Sequence, residues 1–194
     1  MPTDALANPL VLPILGLLVE QPRHAYAVFD ELRTRYAFLR VRNATVYTLL
    51  NSLADAGWIA PALSSGHRQA YALTRPGQRA LAERVDQNLR DADLPDTTAF
   101  LTALAYLGIL APDAAAAALE ARAGRIRAEL AHLDNTLGGD EVSELHMIEV
   151  HYYRAGLQHD RDWLAATVQR IRSGSLVWRQ NDCTGLCTRP DDIS

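Results

Sequence analysis

The chain has 194 residues, 48% of them apolar, and a formal net charge of -4. That length suits one sizeable core or two small domains, the apolar share excludes disorder throughout, and the charge excludes a uniformly basic coat for nucleic acid. No apolar run reaches the length of a bilayer span, and Leu10 to Val19 contains Pro13 with no basic residue ahead of it, unlike a secretory signal.

The first predicted helix covers 8–20, with Asn8 as its cap, Pro9 in its first turn and Leu12, Leu15 and Val19 on one face. Pro13 removes an amide and is expected to bend the helix or delay its start. Gln21-Pro22-Arg23 reads as a break. A second helix follows over 24–37, with His24 as a cap or packing residue near its start. Tyr26, Phe29 and Leu32 are spaced to pack inward, near Ala25, Val28 and Tyr36. Residues 38–43 form a short connection. A third helix over 44–56 buries Val46, Leu49, Leu50, Leu53 and Ala56, and Gly57 ends it. The period then changes. Trp58 to Leu63 and Gln69 to Leu73 read as two strands around the polar turn Ser64-Ser65-Gly66-His67-Arg68. Thr74 caps a fourth helix with Pro76 in its first turn, running through Leu81 and Val85 towards Leu89.

The acidic stretch Asp91 to Thr98 contains Pro95 and is placed as a domain boundary. Beyond it, 97–110 reads as a short apolar helix through Phe100, Leu101, Leu104 and Leu107. A longer helix starts at Asp113 and carries Leu119, Ile126, Leu130, Leu133 and Leu137 in a coiled-coil-like stripe. Gly138-Gly139-Asp140 breaks it. The last helix, 141–173, has Leu145, Ile148, Tyr152, Leu164, Val168 and Ile171 on its inner side, and 174–194 reads as a loose tail. The expected fold is therefore mostly α: a winged helix-turn-helix domain over 8–92 and a helical domain over 96–173, whose long helices suit either a dimer joint or an intramolecular hairpin.

In such a fold the third helix enters the major groove. Its outer face offers Thr45, Thr48, Asn51 and Ser52, while Tyr47 lies at the flank of the buried stripe. Arg40, Arg42 and Asn43 precede the helix and suit phosphate, and His67 and Arg68 top the hairpin. Residues 1–80 carry a net charge of +3 and residues 94–194 a net charge of -5, as fits a protein with one DNA-facing domain. The chain has no lysine, so its phosphate contacts fall to Arg, His, hydroxyls and backbone amides.

The order of motifs resembles the PadR family of bacterial transcriptional regulators. The matching pieces are Leu15-Gly16-Leu17-Leu18, Pro22-Arg23-His24-Ala25-Tyr26, Ala44 to Leu53, Gly57-Trp58-Ile59, and Arg68 followed by Tyr71-Ala72-Leu73-Thr74 and Gly77. Two positions depart from it: the family often has Gly where Ala25 stands, and Gly or Ser near Ala44. The resemblance implies that Tyr47 meets the phosphate backbone, that the Thr45–Ser52 face enters the groove, and that the C-terminal helices form a homodimer. Double-stranded DNA with a palindromic operator is then the expected partner. It also implies a repressor whose DNA affinity responds to a small aromatic effector, with Leu12, Leu15, Tyr106, Tyr152, Tyr153 and Trp163 as candidate pocket residues.

An enzyme reading has no support in a phosphate loop or a nucleophile set, and no cofactor is expected. Cys183 and Cys187 lie in the tail without a matching His or Cys pair, so neither a disulfide framework nor a zinc site is expected, and the cytoplasm is the expected compartment. The alternative function is a winged-helix interaction module that has lost DNA binding. A MarR-like regulator fits less well, given the single helix before the helix-turn-helix and the long helical C-terminal portion.

Overall fold

The structure is a computed structural model that describes residues 3–62, 69–137 and 143–178. A short helix α1 (Thr3–Leu6) precedes α2 (Val11–Glu20), whose residues from Val11 to Leu18 are all buried. The expected start at residue 8 is corrected. Asn8 Oδ1 instead accepts the Leu10 amide at 2.9 Å and caps the turn before the helix. Starting at Val11 places Pro13 in the first turn, where a backbone amide has no intrahelical acceptor to lose.

The expected break after α2 contains a strand. β1 (Arg23–His24) pairs antiparallel with β3 (Ala70–Leu73), which also pairs with β2 (Ile59–Ala62), giving the order β1-β3-β2. The registers are Arg23 opposite Tyr71 and Ile59 opposite Leu73. His24 ends the strand and caps α3 (Ala25–Arg35), its Nδ1 accepting the Ala27 amide at 3.1 Å. Ala25, Val28 and Leu32 are buried, and so is Tyr36 just past the helix. Tyr26, expected inside, is 54% exposed. It sits two residues before Val28, on the far side of the helix from the buried stripe.

The third predicted helix is α4 (Asn43–Asp55), with Val46, Leu49, Leu50 and Leu53 inward. Ala56, expected in that stripe, is exposed, because the helix ends there and Gly57 turns the chain at φ 71°. Thr74 joins this corner to α5 (Arg75–Asp91): its hydroxyl donates to the Gly57 carbonyl at 2.7 Å and accepts the Gly77 amide at 3.2 Å.

The segment expected to be one helix over 97–110 is α6 (Thr97–Leu104) followed by a single 3-10 turn (Leu107–Ile109). The chain bends between them to turn Tyr106 inward. The long α7 (Pro112–Leu137) buries Leu119, Ile126, Leu130 and Leu133. A 3-10 turn (Glu144–Met147) leads into α8 (Ile148–Arg172), which packs along α7 through Leu157, Leu164, Val168 and Ile171. Leu145, Ile148 and Tyr152 were expected on this inner side and are exposed, Tyr152 by 84%. The helix has two apolar faces, and only one meets α7.

A single contiguous cluster of buried side chains runs from α2 to α8. Two arginines of α7 reinforce the contact with α5. Arg122 and Arg125 donate to the Ala92 carbonyl at 2.8 and 2.9 Å, and Arg125 also donates to the Arg90 carbonyl at 2.8 Å. These carbonyls form the negative end of α5, where a cation is stabilised. Arg122 is buried with its guanidinium 4.0 Å from the centroid of Phe100, a cation–π contact. Burial and the neighbouring Arg125 hold its pKa below the usual value.

Candidate nucleic-acid interface

The outward strip of α4 is set by its inward one. Anchoring Val46, Leu49, Leu50 and Leu53 in the core leaves Asn43, Tyr47, Thr48 and Asn51 exposed, with Thr45 and Ser52 half-buried at the edges. The Thr48 hydroxyl donates to the Ala44 carbonyl at 3.0 Å, and the Ser52 hydroxyl to the Thr48 carbonyl at 3.1 Å. With those protons engaged, both oxygens face outward as acceptors. Asn51 makes no side-chain hydrogen bond among the described residues, so its amide keeps both donors and its acceptor for another molecule. Tyr47 is 47% exposed and carries its hydroxyl on the same strip.

The N-terminal end of α4 is chemically open. Arg42 occupies the capping position without a side-chain hydrogen bond, and the first capping amide satisfied by backbone is that of Val46, which donates to the Arg42 carbonyl at 3.2 Å. The amides ahead of it are left for an anion. Arg40 and Arg42 are exposed, and neither pairs with a carboxylate among the described residues. Other arginines of the same region are engaged. Arg23 bridges Glu20 and Glu31, each at 3.1 Å, and Arg35 holds Glu20 at 2.6 Å and Glu31 at 2.8 Å. This network locks α2, β1 and α3, and the Glu20 hydrogen bond raises the pKa of Arg35. Among the described residues, Arg40 and Arg42 thus stand as unpaired positive charge where α4 begins, as Arg75 and Arg79 do at the start of α5.

The wing strands β2 and β3 are in place, while the expected contacts His67 and Arg68 lie outside the described residues. Two exposed aromatics were missed by sequence reasoning. Tyr26 stands on the first turn of α3 beside Phe29, with ring centroids 6.2 Å apart, and Phe38 is exposed in the segment before α4. The motif Pro22 to Tyr26 marked the first, but inward spacing was read in place of exposure.

The six candidate pocket residues differ in how far they are exposed. Leu12, Leu15 and Tyr106 are closed into the core. Tyr152 and Trp163 are exposed on α8, and Tyr153 is half-buried there. A cleft of about 540 Å³ between α7 and α8 is bordered by Glu120, Arg127, Gln169 and Arg172 over Ala123, Ala165 and Val168, and by none of the six. Among the described residues no three His, Cys, Asp or Glu side chains are grouped to hold a metal ion, and no helix is long and apolar enough to cross a membrane.

Residues 14–83 match the transcriptional regulator PadR-like family. No curated protein sequence matches the chain. Among solved structures, PadR from Bacillus subtilis in complex with operator DNA is 20% identical, over 84% of this chain and 99% of that one, with a TM-score of 0.40. The same protein in complex with p-coumaric acid is 20% identical over 85% and 99%, with a TM-score of 0.37. The virulence activator AphA from Vibrio cholerae is 20% identical over 84% and 94%, also with a TM-score of 0.37.

Proposed function

We propose, from the match of residues 14–83 to the PadR-like family of transcriptional regulators, that the protein is a sequence-specific DNA-binding repressor of that family acting as a homodimer. The observation that carries the proposal is the arrangement at α4. Two unpaired arginines lead into a helix whose apolar face is locked in the core and whose outer strip presents Asn43, Tyr47, Thr48 and Asn51. In this reading Arg40, Arg42 and Tyr47 hold phosphate, together with His67 and Arg68 of the wing. Asn43 stands at the phosphate end of the helix, and Thr45, Thr48, Asn51 and Ser52 approach base edges.

The second apolar face of α8 supports association of two copies. Ile148, Tyr152 and Trp163 are 55%, 84% and 42% exposed, and their spacing of four and eleven residues keeps them on one side of the helix. Exposed apolar groups in such a row mark a protein contact. Two heads related by a two-fold axis read a palindrome. The proposal includes a small aromatic effector. It rests on the family resemblance, and Trp163 is its reporter: its emission shifts when such a compound binds nearby.

The test is a titration of the purified protein against duplex DNA from immediately upstream of its own coding region, followed by fluorescence anisotropy. A scrambled duplex of equal length is the control. Salt-sensitive, sequence-selective binding that saturates at two chains per site is expected. Equal binding to both duplexes at every salt concentration, repeated with selected genomic fragments, favours the interaction-module alternative instead.

A further inference from the structure

The hydroxyls of Tyr36 and Tyr106 meet at 2.6 Å in the interior, joining positions 70 residues apart. Each ring is held by a different part of the fold. Tyr106 lies between α6 and the 3-10 turn that leads to α7, and its ring rests on Gly16 of α2. A Cβ at Gly16 would come within 2.1 Å of that ring, so glycine is what admits it. Tyr36 ends α3: its amide donates to the Leu32 carbonyl at 3.0 Å, and its carbonyl accepts the Leu39 amide at 2.8 Å. The Phe38 ring stands edge-on to it at 5.9 Å and 85°. Tyr36 therefore opens the segment 36–42, which carries Arg40 and Arg42 to the start of α4.

Two phenylalanines would fill the same space without two hydroxyls to desolvate, and removing both partners of a buried hydrogen bond is close to neutral for stability. What a hydrogen bond adds over packing is direction and a fixed distance. We propose that Tyr106 is a positioning residue for DNA reading, its hydroxyl fixing Tyr36 and through it the pose of the segment that delivers Arg40 and Arg42 to the phosphate backbone. This rests on the proposed function above. It makes the junction between α6 and α7 a place from which the helical region sets the base of the recognition helix.

The experiment uses the full chain with Tyr36→Phe, Tyr106→Phe and both together. Each single variant leaves one buried hydroxyl unpaired and lowers the thermal midpoint. The double variant recovers it. In the double variant, amide exchange at Leu39 is expected to be about tenfold faster than in the unaltered protein, and operator affinity about fivefold weaker, despite the recovered stability. A merely structural pair would give a double variant with unaltered Leu39 exchange and unaltered affinity, and either result overturns the proposal. If the unaltered protein shows no preference for any duplex, the DNA-binding reading has failed, and Leu39 exchange alone decides whether Tyr106 positions the segment.

Discussion

Asn51 and Asn43 lie eight residues apart on the outer strip of α4, and Asn51 carries the unengaged amide of the pair nearer the helix centre. A side-chain amide can donate and accept together, which is the geometry that distinguishes adenine in the major groove. Asn51→Ala is expected to re-rank operator variants, with a loss of about 1–3 kcal/mol at one base pair and little at the others. Competition with single-base variants measures it, and a uniform loss would remove Asn51 from the base-reading set. Arg42→Ala should weaken all sequences alike and lower the slope of log affinity against log salt by about 1, as expected for one lost phosphate contact. The buried phenols make a separate prediction. Desolvation raises the pKa of Tyr36, and it raises that of Tyr106 further, with Glu20 and Arg35 the charges facing the pair. In the unfolded chain both ionise near 10.0. Their contribution to stability is therefore complete below that pH and declines as pH rises beyond it. The Tyr36→Phe, Tyr106→Phe double variant should unfold with a flatter dependence between pH 9 and 11 than the unaltered protein, as thermal melts at a series of pH values would show.

At the level of elements, the corner formed by Thr74 holds the end of α4, the start of β2 and the start of α5 through one hydroxyl. Thr74→Ala is expected to destabilise the fold by about 2 kcal/mol, at the upper end for a lost helix cap because a second bond goes with it. Thr74→Ser should retain most of that, and denaturant unfolding separates the two. This cap was legible in the sequence, as were the inward stripe of α4 and the hairpin, because each is a local pattern of a few residues. The rest was not, for physical reasons. β1 is two residues long and exists only because β3 lies beside it, so no alternation announces it. Tyr26, Ile148 and Tyr152 carry apolar rings and chains, and periodicity reports that such a face exists but not which surface meets it. The Tyr36–Tyr106 bond joins distant positions and leaves no local trace. The start of α2 moved to Val11 because Pro13 is compatible with a first turn and not with a second.

At the scale of the whole molecule, the outer face of α8 governs the proposed assembly. Tyr152→Arg places a charge in the centre of that face without touching the contact with α7, since Tyr152 is exposed. The variant is expected to remain folded, to halve the solution mass measured by light scattering, and to lose about 100-fold in operator affinity as two linked heads become one. A folded Tyr152→Arg protein with unaltered mass would place the contact between copies elsewhere.

The clasp that Arg122 and Arg125 make on the end of α5 has a mechanical consequence. It grips main-chain oxygens, so the identity of the side chains at 90–92 is irrelevant to the grip, and it lies near the middle of a helix 26 residues long. Such a helix extends about 39 Å, slightly more than one turn of the double helix. Pivoted at that clasp, each arm of about 20 Å converts a tilt of about 10° into a displacement of about 3.4 Å, the rise of one base pair along the DNA axis. The long helix is thus a two-armed caliper: a tilt about the clasp moves its two tips in opposite directions, each by about one base pair.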